Sequence, residues 1–333
     1  MKEALFYTAL EKNKAVKCGL CPHMCVIKKD FLGVCNARKN VEGKLYSLSY
    51  SKITSFGRDP IEKKPLYHFY PGSGIFSIGS FGCNLACIFC QNFTIARAKE
   101  FDVQCAEMLP EDLLAEVKKS NTIGVAYTYN EPLINFEYIL DSAKLIKDAG
   151  YKNVLVTNGF INEEPLRMIL PYIDAANIDL KAFNNNFYKK VCYGGLEPVK
   201  MAIKIMHESG AHIELTNLII PELNDNIKEI EDMTRWIADI SKDIPLHFSR
   251  YFPCYKCDKP VTPSETLVKA YNMAKGLLNY VYVGNILLLE GQDTVCPYCK
   301  NIVIKRSGYE TDVIGLKGDK CKECGKRLNI VCS

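Results

Sequence analysis

The sequence predicts an α/β fold: a partial (β/α)6 TIM-like barrel with a small Cys-rich N-terminal segment and a C-terminal zinc-ribbon-like module. Two observations carry the barrel. From residue 74 to about 285, short apolar runs alternate with stretches of helical period, which implies parallel strands joined by right-handed crossovers. Polar residues also recur where those runs end, the place such folds put their chemistry. The third observation is the distribution of 16 cysteines, which fall into groups at the start, middle and end of the chain. Together they divide it into residues 1–40, a Cys-rich metal-binding segment; 41–73, a connector; 74–285, the α/β core; and 286–333, the ribbon-like module. A doubly wound open sheet is the alternative architecture for the core.

Within the core, strands are expected at 75–79, 123–129, 154–157, 176–181, 212–220 and 246–251. The helix at 135–149 places Phe136, Ile139, Leu140, Ala143 and Ile146 on one face and stops at Gly150, a residue suited to the left-handed position after a helix. A second helix, 198–209, repeats the device with Val199, Ala202, Ile203 and Met206 before Gly210. The connector carries Pro60, Pro65 and Pro71, which restrict regular structure.

Asn130 and Glu131 follow the second strand, Thr157 and Asn158 end the third, and Asp179 and Lys181 end the fourth. Thr216 and Asn217 lie within the fifth strand, and His247, Ser249 and Arg250 within the sixth. Each has an ordinary structural explanation: a helix-capping turn for Glu131, a surface pair for Asp179 and Lys181, a satisfied core histidine for His247. Their recurrence at successive strand ends argues for a shared site.

The composition bounds the function. Hydrophobic residues make up 48% and charged residues 24%, and 42 basic against 38 acidic residues leave a net charge of +4. No strong nucleic-acid field is implied. No apolar run reaches the roughly 18 residues of a membrane span, and the opening stretch lacks a secretory pattern. A cytoplasmic protein is expected, in which CxxC pairs mean metal more often than disulfide.

After the first core strand come Cys83, Cys87 and Cys90 at C-x3-C-x2-C spacing. Three thiolates can hold three irons of a 4Fe-4S cluster and leave the fourth iron open to a small ligand. That arrangement suits S-adenosylmethionine (SAM), whose amino and carboxylate groups can chelate the open iron; a zinc site or scattered thiols are the alternatives. At the C-terminus, Cys296, Cys299, Cys321 and Cys324 form two CxxC knuckles fit for structural zinc. At the N-terminus, Cys18, Cys21, Cys25 and Cys35 fit zinc or a second cluster; their spacing matches no common ferredoxin run, which favours zinc. Cys254 and Cys257 make one more CxxC, with a minor structural role expected, and Cys105, Cys192 and Cys332 stand alone.

The triad with Phe89 before its last cysteine resembles the signature of the radical SAM superfamily. Lys64-Pro65-Leu66-Tyr67-His68-Phe69, Gly82-Cys83-Asn84-Leu85, Thr157-Asn158-Gly159 and Asp179-Leu180-Lys181 resemble the branch that includes pyruvate formate-lyase activating enzymes. The N-terminal CGLCPHMCVIKKDFLGVCNAR and the C-terminal CPYC and CKECG resemble the AmmeMemoRadiSam-system radical SAM enzymes. The resemblance implies a radical SAM core at 74–285, with Cys83, Cys87 and Cys90 on the cluster. It implies that Glu131, after Asn130, accepts from the SAM ammonium, that Asp179 and Lys181 line its methionine end, and that His247 lies near the adenine. The implied reaction is reductive cleavage of SAM to a 5′-deoxyadenosyl radical that abstracts hydrogen from substrate, under anaerobic conditions. An electron donor such as flavodoxin or ferredoxin is implied, with Memo-like and AMMECR-like proteins as partners. Val156 stands where activating enzymes carry an acidic residue, which tilts the reading from a glycyl-radical-enzyme activase towards a small-molecule oxidoreductase. A non-catalytic zinc or nucleic-acid-binding module is the reading from a different class; the tail is basic but has few interleaved aromatics.

Overall fold

The computed structural model describes residues 1–11, 13–286 and 290–332. Position 12 of the N-terminal segment and positions 287–289 and 333 of the C-terminal module lie outside the described residues. The core is a mixed, mostly parallel sheet of eight strands: β1 (Ser55–Pro60), β2 (Gly74–Gly79), β3 (Gly124–Tyr127), β4 (Lys152–Thr157), β5 (Ala175–Asp179), β6 (His212–Ile219), β7 (Leu246–Arg250) and β8 (Val281–Gly284). Strands β2 to β8 run parallel, and β1 lies antiparallel on the edge beside β2.

The strands lie side by side in chain order. With right-handed crossovers, that order puts the connecting helices on one face of the sheet. A doubly wound sheet needs a reversal of strand order, and there is none among the described residues. The main connecting helices are α1 (Pro110–Ser120), α2 (Phe136–Asp148), α3 (Glu163–Ile169), α4 (Leu196–Glu208), α5 (Ile227–Ile240) and α6 (Ser264–Lys275). Helices α2 and α4 bury the expected apolar stripes and give way to Gly150 (φ 83°) and Gly210 (φ 82°).

Two strands go beyond the six expected. β8 extends the parallel series, and β1 lies within residues 41–73, the span expected to be a connector. β1 ends at Pro60, and an edge strand tolerates proline because its unpaired side needs no N–H. The span continues beneath the sheet, where the Asn177 side-chain amide donates to the Pro65 carbonyl (2.8 Å) and the His68 amide donates to Glu214 Oε1 (2.7 Å).

Small antiparallel sheets form both ends. In the N-terminal segment Tyr7–Ala9 pairs with Val16–Cys18, which pairs with Val26–Ile27. The segment is fastened to α2 through a buried ion pair, Arg38 Nη2 to Glu137 Oε1 at 2.6 Å. At the other end Thr294–Val295, Ile302–Ser307 and Glu310–Val313 form a three-stranded sheet. The C-terminal module docks where the strands begin. Arg306 donates to the Tyr67 carbonyl (2.7 Å), its guanidinium lies 4.2 Å from the Tyr67 ring centre, and the Val331 amide donates to the His68 carbonyl (2.7 Å). The module thus covers the end of the sheet away from the strand C-termini.

Candidate active site at the strand ends

Cys83, Cys87 and Cys90 sit on an irregular loop after β2, so its backbone must find partners elsewhere. Ala86 N–H donates to the Cys192 carbonyl (2.9 Å), Ile88 N–H to the Val191 carbonyl (3.1 Å), and Lys256 N–H to the Ile88 carbonyl (2.9 Å). Arg97 donates to the Leu85 carbonyl (3.1 Å). The loop's entry, Gly82 (φ 85°), lies against the Cys35 carbonyl with no room for a Cβ.

These thiols open onto a cleft of about 470 Å³ at the C-terminal ends of the strands, a size that suits a cofactor-sized ligand. Asn130, Glu131, Thr157, Asn158, Asp179 and Lys181 all line it. Six of the seven proposed cofactor residues therefore meet the three cysteines.

The cleft has a pronounced polar order. Asn158 donates from Nδ2 to Asn84 Oδ1 (3.0 Å) and toward the Cys83 sulfur (3.7 Å), while its Oδ1 accepts from Phe160 N–H (2.9 Å). Leu85 N–H also donates to the Cys83 sulfur (3.4 Å). Burial pushes the Cys83 and Cys90 thiols up, and Cys87 is held well above its ordinary range by a hydrogen bond with Cys192 and then by burial. A bound metal reverses this, because a coordinating thiol is deprotonated. Soft sulfur ligands with amide donors aimed at them fit an iron–sulfur cluster.

Glu131 is braced by three donors of the fold. Its Oε1 accepts from Leu133 N–H (3.0 Å) and the Thr157 hydroxyl (2.7 Å), and its Oε2 from Asn158 N–H (2.7 Å). Most of its acceptor capacity is thus committed to holding the turn after β4. Burial nevertheless raises its pKa to about 7. Asn130 is a brace too: it accepts from Ser80 N–H (3.0 Å) and donates to the Gly82 carbonyl (2.9 Å).

Lys181 and Asp179 pair at 2.8 Å. Burial alone would lower the Lys181 pKa, but the Asp179 carboxylate outweighs it and holds the ammonium charged. The pair presents one charge of each sign to the cleft. Val156 lines the cleft as the apolar residue the sequence specifies.

His247 is the exception. It lies two residues before Ser249, which reaches the cleft, so it sits one layer deeper on the same strand face. Its Nε2 bonds Glu214 Oε2 (2.6 Å), and its ring packs against Tyr67 and Tyr282 (4.7 and 5.1 Å between centres). His212 and the His68 amide bond the same carboxylate. The nearest sequence clue was a histidine on an otherwise ordinary strand, which does not reveal a carboxylate partner 33 positions away.

Sequence reasoning also missed Asp59 and gave Lys64 no role of its own. Buried Lys64 bonds Asp59 (2.7 Å), which also accepts from the Tyr129 hydroxyl (2.8 Å). Tyr129 occupies the left-handed region at φ 71°, an uncommon conformation for an aromatic residue and one that gathers at functional sites. Of the unassigned cysteines, buried Cys192 neighbours Cys87, and the 254–257 turn abuts the cluster loop, with Cys254 donating toward the Cys90 carbonyl (3.7 Å). The C-terminal knuckles meet in a metal-binding site: Cys296 and Cys324 sulfurs are 3.7 Å apart, Cys299 and Cys321 3.6 Å, and all four lie within 4.8 Å of one another.

A model described as the radical SAM superfamily matches residues 77–237. An uncharacterized protein of Methanocaldococcus jannaschii is 43% identical over 336 residues, covering 99% of this chain and 100% of that one. The chain belongs to the radical SAM superfamily. This radical SAM enzyme is also 25% identical over 184 residues to the pyruvate formate-lyase-activating enzyme of Clostridium pasteurianum, covering 51% of this chain and 74% of that one. Streptococcus suis SuiB bound to S-adenosylmethionine shares the fold, with a TM-score of 0.50 and 14% identity over 65% of this chain and 49% of that one. The family implies a 4Fe-4S cluster and SAM, and radical SAM activating enzymes generally need a reductant. No helix among the described residues is long and apolar enough to cross a membrane.

Proposed function

We propose that this enzyme cleaves SAM reductively and uses the radical so formed to take hydrogen from a small-molecule substrate. The observation that carries the reading is the joint presence of Cys83, Cys87, Cys90, Asp179 and Lys181 on one cleft. A 4Fe-4S cluster with SAM supplies a 5′-deoxyadenosyl radical, the hydrogen-abstracting species of this chemistry. The protein's part is binding and orientation. Cys83, Cys87 and Cys90 would hold the cluster, and Asn158 would tune it through its amide near the Cys83 sulfur. Lys181 would meet the SAM carboxylate as a point charge, and Asp179 the ammonium. Asn130, Glu131 and Thr157 would fix the walls, Glu131 by positioning the Thr157–Asn158 turn. The packing of His247 against Glu214 argues for a role beneath the site in place of adenine contact.

A sheet with strands in chain order and β1 and β8 at its two ends supports a partial (β/α) barrel. We assign the C-terminal site to zinc because its sulfur spacing suits a single tetrahedral ion; the module's docking on the sheet supports a structural role over nucleic-acid binding. All 16 cysteines are free of disulfides, in keeping with a reducing cytoplasm. A low-potential donor such as flavodoxin or ferredoxin is the proposed reductant, and the family resemblance alone supports Memo-like and AMMECR-like partners. Activation of a glycyl radical enzyme is the second reading, supported by the resemblance to the clostridial activating enzyme.

The test is electron paramagnetic resonance of the anaerobic, reduced protein before and after SAM. A cluster signal that SAM changes, absent from Cys83→Ala, is expected. A reduced cluster indifferent to SAM would count against the proposal.

A further inference from the structure

We propose that Cys18, Cys21, Cys25 and Cys35 bind a second iron–sulfur cluster, which passes electrons one at a time to the cluster at Cys83, Cys87 and Cys90. The destination of the electron rests on the function proposed above; the metal assignment does not. Three observations carry it.

The first is that the four cysteines gather. Strand pairing brings the two ends of the Cys18–Cys25 loop together, with Cys18 N–H donating to the Cys25 carbonyl (2.9 Å). Cys21 lies near Cys18, Cys25 and Cys35, and Cys35 near Cys18 and Cys25. Cys18, Cys21 and Cys35 are buried. Backbone amides of His23, Val34 and Ala37 face the sulfurs of Cys21, Cys25 and Cys35, and such hydrogen bonds help set a cluster's potential.

The second is spacing. One zinc ion holds four sulfurs about its own centre, with bonds of about 2.3 Å. The C-terminal knuckles meet that demand at 3.6 and 3.7 Å. Among the described residues, theirs is the group whose ligand atoms all fall within 4.8 Å of one another. Neither the N-terminal quartet nor the central triad forms such a group among the described residues. A cubane attaches each thiolate to a different iron and needs a wider set of sulfurs.

The third is position. Cys83 N–H donates to the Cys35 carbonyl (3.2 Å), so a ligand of one site is hydrogen-bonded to a ligand of the other. His23, between Cys21 and Cys25, bonds the Asn84 carbonyl through Nε2 (2.7 Å). A purely structural metal has no need of two hydrogen bonds into the neighbouring redox loop. A relay does, because short bonded contacts keep two centres close and fixed. In each transfer the N-terminal cluster would lose one electron and the central cluster gain one, with a low-potential one-electron carrier restoring the first.

Metal counting on the full chain, purified and reconstituted anaerobically, decides the matter. Wild type should hold about eight irons and eight sulfides per chain. In Cys83→Ala/Cys87→Ala/Cys90→Ala both should fall to about four, with a reducible paramagnetic signal that SAM leaves unchanged. In Cys18→Ala/Cys21→Ala both should again fall to about four, with the SAM-responsive signal kept. A triad variant without iron, together with a second zinc per chain, would overturn the second cluster. A wild-type spectrum indifferent to SAM, with iron present in the triad variant, would instead overturn the proposed function and leave the metal assignment standing.

Discussion

Replacing Lys181 by Met tests the proposed SAM site where its geometry is most specific. Met keeps an apolar stem for the cleft and removes the ammonium. That ammonium pairs with Asp179 at 2.8 Å and lies 5.8 Å from the Phe89 ring centre. SAM binding would exchange this internal pair for two: carboxylate with Lys181 and ammonium with Asp179. The Lys181 side chain is only 15% exposed, so water replaces its lost contact poorly. A charge-assisted hydrogen bond is worth about 1.5–3 kcal/mol, which corresponds to roughly 10- to 150-fold in dissociation constant. The internal pair broken on binding moves the expectation to the lower part of that range. Anaerobic titration calorimetry on cluster-loaded protein would read it, with iron content matched to wild type. Lys181→Arg should recover part of the loss, since the charge returns with a different shape. Equal SAM affinity in wild type and Lys181→Met would refute the assignment.

Other consequences follow from the framework around the cleft. Arg38→Met leaves Glu137 buried without its cation and should cost about 3–5 kcal/mol in chemical unfolding; in the double variant Arg38→Met/Glu137→Met, much of that loss should return. Burial lowers the His68 pKa to about 3, below that of the unfolded chain. The unfolded chain then binds the extra proton first, so stability should fall as pH drops from about 6.5 toward about 3, at up to ~1.4 kcal/mol per pH unit. A His68→Asn variant should show a flatter acid limb in pH-dependent denaturation. Chelation of the C-terminal metal should speed hydrogen exchange in residues 294–332 and at His68–Tyr70, whose backbone the module contacts; unchanged exchange there would mean that the module holds its place without metal.

The sequence made the local parts of this architecture legible. Strand positions followed from apolar runs, and Cys83, Cys87 and Cys90 from spacing, because both signals lie within a few residues. The edges were harder. β1 hides in a proline-bearing stretch and is defined by its register with β2, which no local pattern encodes. The roles of Glu131 and His247 depended on partners 26 and 33 positions away. Each residue type fitted the expected chemistry, yet its acceptors or donors were already engaged by the fold. Arg306 is the extreme case: a tail residue in a basic stretch, which could be read as solvated surface, is buried under the sheet against Tyr67, 239 positions earlier.

The most direct test of the central claim is formation of 5′-deoxyadenosine from SAM by the anaerobically reconstituted, dithionite-reduced enzyme. Wild type should form it, and Cys87→Ala should not. A reduced, SAM-bound cluster in the wild-type enzyme with no 5′-deoxyadenosine above the level of Cys87→Ala would contradict the account.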